Sequence, residues 1–533
     1  MPTSHALAAL AAFTVTLTAC WSDDRPIQWQ RPRTVLGPIA LKSHVAYVDS
    51  ALDRVVLVDV TGDAAAISRT AIGRRALTAV ASANHHELYV ITRGEQAVHR
   101  GERDEAPALW VIDAQHPSAP AVGYAIGSPF DRVASSPDGK LAVAYYAAGG
   151  SDPDGVFRNP NELAVIDLAS PPGPSNPALV TIRAFGSAPD GVTLSPPMVV
   201  PGSADPTPRS FAFILAAGNL TVLDASHPDR HEISIRLDLG GSGVIPREVV
   251  FAPGSASAYV RSDHARDVLQ VLLQADPPER GDSHANDYRA VVAELGAGGG
   301  PTDVAVYDDA RGRRVVLAAT PDTGEILAID ADTAQFRSIP IGDPIDRILV
   351  FPGDDGVPHR ALFASLRAAL PRLYVLALDQ LGDPLAAVRL VPIALDKPVR
   401  DVVAIPGREL AMVVHDDART VLGVVDLATA ATAPLQGVGK LDAYDFLPDG
   451  SALIGATTGV ARVGVVAFDN LHPTDVRLDD PPLHLLATAN GKIFVDHGGP
   501  FGHATILPSV TGGRSDAVVL TGFLTAGLLD EEP

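Results

Sequence analysis

The chain has 533 residues, with 41 basic against 63 acidic side chains and a formal net charge of −22. That excess of negative charge repels phosphate backbones and argues against a nucleic-acid partner. One cysteine, at position 20, excludes an internal disulfide, a cysteine-based metal centre and a Cys-x-x-Cys-His haem attachment. The 47 Gly and 45 Pro are spread along the whole length, which points to many short elements rather than one disordered tract.

In chain order, residues 6–19 form an apolar run that ends in small residues. It is too short to span a bilayer and has the length of a signal-peptide hydrophobic core. Leu17-Thr18-Ala19-Cys20 resembles the bacterial lipobox. The resemblance implies cleavage before Cys20, diacylglycerol on its thiol and anchoring in a membrane without a spanning helix. One departure is that Met1 to His5 contains no Lys or Arg. Residues 21–33 read as a polar tether, and 34–533 as one folded unit. Trp21 follows the cysteine. It is not the aspartate that, by resemblance to enterobacterial sorting, retains a lipoprotein in the inner membrane, so the outer membrane is the expected location.

From residue 34 a unit recurs. Its signature is a short apolar strand ending in aspartate, as in Val55-Val56-Leu57-Val58-Asp59, Leu109 to Asp113, Leu163 to Asp167, Leu220 to Asp224, Ile326 to Asp330 and Leu422 to Asp426. Weaker copies end at Asp379 and Asp469, and Val268 to Leu273 fills a gap without its aspartate. The period is near 50: Asp59, Asp113, Asp167 and Asp224 are 54, 54 and 57 positions apart. Turn signals such as Ser136-Pro137-Asp138-Gly139 and Leu447-Pro448-Asp449-Gly450 precede a second strand. A fourth strand closes with Gly at Gly73, Gly127 and Gly342.

These signs predict an all-β fold, a β-propeller of four-stranded blades (a to d from the axis outward) with about ten units. The first unit shows no obvious strand a, and the last, from Gly491, looks irregular. Because single rings usually carry four to eight blades, seven or eight blades with insertions, or two tandem rings, remain alternatives. The Pro-Asp-Gly turn followed by a strand ending Val-Ile-Asp resembles the bacterial YVTN and lactonase-like propeller repeats over most of residues 34–510. That resemblance implies architecture. The class includes lactone hydrolases, quinone and metal enzymes and proteins with no known activity, so it does not choose a function.

In such a blade the d–a and b–c loops share one face, here the top. Residues entering strand a ring the channel mouth, and they are charged: Asp131-Arg132, Arg247-Glu248, Asp303, Asp346-Arg347, Arg400-Asp401 and Asp442. The b–c loops add His99, Asp152, Asp154, Asp263-His264, His415-Asp416-Asp417, Asp496-His497 and His503. Converging carboxylates and imidazoles suit a polar ligand, a divalent metal ion or general acid–base work. The bland alternative is a ring of mutually paired Asp and Arg that closes the channel. The aspartates ending each strand c are expected to accept backbone N–H groups of the following turn.

No nucleophile elbow, phosphate loop or dinucleotide fingerprint occurs in a fitting context. His85-His86-Glu87 stands at a turn rather than on a helix, and Asp152-Pro153-Asp154-Gly155 lacks the spacing of a calcium loop. The expectation is an exported binding or scaffolding lipoprotein for a protein, peptide or glycan partner, with no cofactor required. The rival is a lactonase-like hydrolase or oxidoreductase acting at the channel mouth.

Overall fold

The computed structural model describes residues 33–97, 103–148, 159–183, 188–203, 205–237, 243–276, 288–353, 355–366, 371–382, 387–415, 422–435, 441–508 and 516–525. Cys20 and the tether lie outside them.

The described strands form ten sheets of four, each a meander of sequential strands. Every pairing within a sheet is antiparallel; in blade 3, for example, Leu141 faces Asp167 and Ala142 faces Ser135. Strands b and c are buried almost throughout, as in His44–Asp49 and Arg54–Asp59 of blade 1. Both faces of each pair pack on neighbouring blades, which explains their continuous apolar runs. Strand d alternates between half-buried and exposed positions, as in Ala178–Thr181 and Ile233–Arg236, because one face meets solvent at the rim.

The core is divided into ten clusters, each shared by two successive blades. Tyr89, Ile91 and Leu109 of blade 2 meet Phe130, Ala142 and Ile166 of blade 3. Phe211 and Phe213 of blade 4 meet Val260, Val271 and Tyr288 of blade 5. The tenth cluster closes the ring: Val45, Tyr47, Val56 and Val58 of blade 1 pack on Phe494, Ala504, Ile506 and Phe523 of the last blade. This is a ten-bladed β-propeller in a single ring, not seven or eight blades and not two rings.

Two details correct the sequence reading. Blade 1 does have a strand a, Val35–Ala40; Gly37-Pro38 interrupts its alternation, and the pairing register slips between Leu36 and Ile39. Blade 10 is a regular four-stranded sheet of His484–Ala487, Ile493–Asp496, His503–Leu507 and Val518–Thr521. The separation of its outer strand from the third made the unit look irregular.

Among the described residues the first and last blades exchange no strand, and side chains close the seam. The Tyr47 hydroxyl donates to Asp496 Oδ1 at 3.1 Å. Arg54 donates to the Leu524 carbonyl at 2.8 Å, and Asn490 to the Val60 carbonyl at 2.7 Å. Lys492 reaches the carbonyls of Thr61 and Gly62.

Candidate functional site

Alternation of strand direction places d–a and b–c loops on the top face, with strands a lining the axis. The strand-a entrances are where charge was expected, and the structure assigns acids and arginines there to different tasks. Asp131 Oδ1 accepts the Ala147 N–H at 2.9 Å and Asp346 Oδ2 the Leu366 N–H at 2.9 Å. Asp442 Oδ2 accepts the Thr458 N–H at 2.7 Å. In each case the carboxylate at the start of strand a fixes the b–c loop of its own blade. Asp401 Oδ1 accepts the Val402 N–H at 2.8 Å.

Asp303 works across blades. Its two oxygens accept the Val304 N–H at 3.0 Å and the Ile348 N–H of blade 7 at 2.6 Å. Burial pushes its pKa up to about 6, against the pull of these hydrogen bonds and of Arg347. Asp445 is a second staple, absent from the sequence reading. It accepts the Phe446 N–H and, from blade 10, the Ala487 N–H, both at 2.8 Å, and burial raises its carboxyl above the ordinary range. Its signal was an acid inside the otherwise apolar Tyr444-Asp445-Phe446 of a strand a.

Arg132, Arg347 and Arg400 are exposed at the entrances of blades 3, 7 and 8. Arg132 donates to the main-chain carbonyl of Asp131 at 3.3 Å. Blade 5 shows the paired arrangement. Arg247 donates to Asp263 Oδ2 at 2.6 Å, while Arg261 bridges Asp263 and Glu248 at 3.2 and 3.3 Å. Burial would raise the Asp263 carboxyl, but the two guanidinium groups hold it below its usual value.

At the seam, Asp496 is buried and accepts from the Tyr47 hydroxyl and the Gly498 N–H. Its Oδ2 lies 2.9 Å from His484 Nδ1. His484 is half exposed at the start of strand a of blade 10. His497 bonds through Nε2 to Thr505 Oγ1 at 2.8 Å and stacks at 4.4 Å on His503, which pairs with Asp480 at 3.3 Å. His415 is buried, with Nδ1 at 3.1 Å from the Lys397 carbonyl. It fixes the loop entering its blade. Asp416, Asp417, His99, Asp152 and Asp154 lie outside the described residues. Among the described residues no three carboxylates or imidazoles converge as a metal-ligand set.

The strand-c aspartates behave as expected. Asp59 accepts the Thr61 N–H at 2.7 Å, Asp330 the Thr333 N–H at 2.9 Å and Asp426 the Ala428 N–H at 2.8 Å. Asp224 does more: buried, it also receives Arg209 at 3.0 Å and Arg230 at 2.9 Å. A cleft of about 750 Å³ between blades 3 and 4 lies on the opposite, bottom face and is lined by Asp167, Asn176, Ser210 and Ser226.

No family model matches the chain, and no curated protein matches its sequence. The class that fold and mouth define is a ten-bladed propeller. Solved structures align with the chain at low identity. A dihydro-haem d1 dehydrogenase, NirN, in complex with DHE is 14% identical, with 84% of this chain and 75% of that chain covered and a TM-score of 0.40. A eukaryotic initiation factor is 12% identical over 90% and 96% (TM-score 0.46), and the Dos1 propeller 12% over 72% and 93% (TM-score 0.41).

Proposed function

We propose that this chain is an exported envelope protein, held to the membrane through acylated Cys20, whose propeller is a binding module for a protein, peptide or glycan partner. The observation that carries the reading is the division of labour at the top-face mouth. Asp131, Asp303, Asp346 and Asp442 are committed to backbone N–H groups. A carboxylate that holds a loop in place is a poor general base. The arginines at the same ring of strand entrances, Arg132, Arg347 and Arg400, are left exposed. A guanidinium offers a rigid fork of donors matched to carboxylate, sulfate or phosphate groups. The fitting partner is therefore an acidic peptide segment or an acidic glycan of the envelope.

The anchor rests on the coincidence of the single cysteine with the end of the apolar run, and the outer membrane on Trp21 as its neighbour. The test is affinity capture from envelope extract by the full chain and by its Arg132→Ala/Arg347→Ala/Arg400→Ala variant. A partner retained by the first, released by salt and lost by the second supports the reading. Retention unaffected by the triple substitution would sink it.

One observation favours a second reading, a hydrolase. His484 is oriented by buried Asp496 and keeps its other edge exposed at the mouth, as a general base requires. Ester or lactone hydrolysis lost in His484→Gln but kept in the triple arginine variant would favour it.

A further inference from the structure

The described chain enters the ring at the seam between blades 10 and 1. Arg33 donates to Asp49 Oδ2 at 2.7 Å, to the Leu524 carbonyl at 3.0 Å and to the Pro500 carbonyl. Strand a of blade 1 begins at Val35 and runs away from the top face, so the chain reaches the ring from that side.

At the same corner three apolar side chains are exposed on top-face loops: Phe501 at 63%, Leu483 at 59% and Val460 at 42%. They come from the b–c loop of blade 10, the connection from blade 9 to blade 10, and the b–c loop of blade 9. Leu483 Cδ2 lies 2.9 Å from where a Cβ on Gly498 would stand, so this side chain covers the loop that carries Phe501. Both are held by the main chain: Leu483 N–H donates to the Asp496 carbonyl at 2.7 Å, and the Phe501 carbonyl accepts the Leu524 N–H at 3.1 Å. Large apolar side chains held outward on adjoining loops cost free energy in water, and among the described residues these stay exposed.

We infer that Val460, Leu483 and Phe501 rest on the lipid surface to which the chain is anchored, so that the channel mouth faces the membrane. The inference rests on the anchored reading above. Thirteen residue steps from Cys20 to Arg33, at about 3.3–3.6 Å each, reach at most about 45 Å. That length alone permits either face to approach the bilayer. The apolar corner at the root of the tether chooses between them: one aromatic ring and two branched side chains suit the boundary between headgroups and acyl chains. The contact is apolar rather than electrostatic, since the connection that carries Leu483 also carries Asp479 and Asp480, whose carboxylates would repel anionic headgroups. The partner bound at the mouth would then lie between disc and membrane.

The test uses the full-length acylated protein in vesicles of phosphatidylethanolamine and phosphatidylglycerol. Acylation occupies the thiol of Cys20, so Thr458→Cys on the top face or Asp332→Cys on the bottom supplies the only free thiol for a fluorophore. Spin-labelled lipid should quench the label at 458 and leave that at 332 bright. Adding Leu483→Ser with Phe501→Ser should abolish the difference, and raising salt should not. Protein that floats with the vesicles but shows equal quenching, or more at 332, overturns the orientation alone. Protein that fails to float overturns the anchor and this inference with it.

Discussion

Tyr47 and Asp496, 449 positions apart, share the hydrogen bond that ties the first blade to the last, phenol hydroxyl to Oδ1 at 3.1 Å. Tyr47 packs edge-on against Phe523 at 5.3 Å and tilted against Phe494 at 6.3 Å, so the bond sits inside the seam cluster. Burial first, and then the Asp496 charge, raises the phenol far above its ordinary pKa, so it stays a donor. A ring without strand exchange relies on such contacts.

Tyr47→Phe keeps the packing and removes only the donor to a charged acceptor. The expected cost is about 1.5–3 kcal/mol. It should appear as a lower denaturation midpoint and as faster amide exchange in blades 1 and 10, ahead of the other blades. Uniform exchange around the ring would show that the seam is not the weak joint.

Arg209 and Asp224 are both fully buried and 3.0 Å apart. Arg209→Ala strands a buried carboxylate, with Arg230 and His227 as its remaining partners, and should cost about 3–5 kcal/mol. Arg209→Met combined with Asp224→Leu should cost much less than the sum of the single changes, which a double-mutant cycle in denaturant measures.

Asp303 gives a pH dependence of defined sign. Its folded pKa is raised to about 6, while an unfolded aspartate titrates near ~3.9. The native state therefore holds this proton more tightly. Its contribution to stability is fully present below the unfolded pKa and is lost as pH rises through about 6. Asp303→Asn should remove that slope. The wild type's margin over the variant should be larger at pH 4 than at pH 7; a margin that grows with pH would contradict the assignment.

Gly450 and Gly254 separate strain from collision. Both have positive φ, 64° and 61°. A Cβ at Gly450 would stand 2.0 Å from the Pro406 carbonyl oxygen of the preceding blade, whereas one at Gly254 meets nothing within 4 Å. Gly254→Ala should cost about 1–2 kcal/mol, the left-handed penalty. Gly450→Ala should cost clearly more, because the backbone it strikes cannot swing aside.

The ten units were legible because fully buried b and c strands leave continuous apolar runs, and because Asp59, Asp330 and Asp426 close each run with a turn. Gly37-Pro38 hid the first inner strand by breaking its alternation. The mouth was legible as a place but not in its wiring. A charged residue at a strand entrance looks the same in sequence whether it binds a ligand, pairs with an arginine as Asp263 does, or accepts N–H groups as Asp131 and Asp346 do. Cross-blade staples such as Asp303 to Ile348 depend on which inner strands adjoin, which spacing along the chain does not encode.

Photo-crosslinking in living cells tests the central claim most directly, with a photoreactive residue replacing Pro344 in the top-face connection that leads to Arg347, or Asp332 on the opposite face. The account predicts a discrete adduct from position 344 in the membrane fraction and none from 332. An adduct from 332 alone would contradict it.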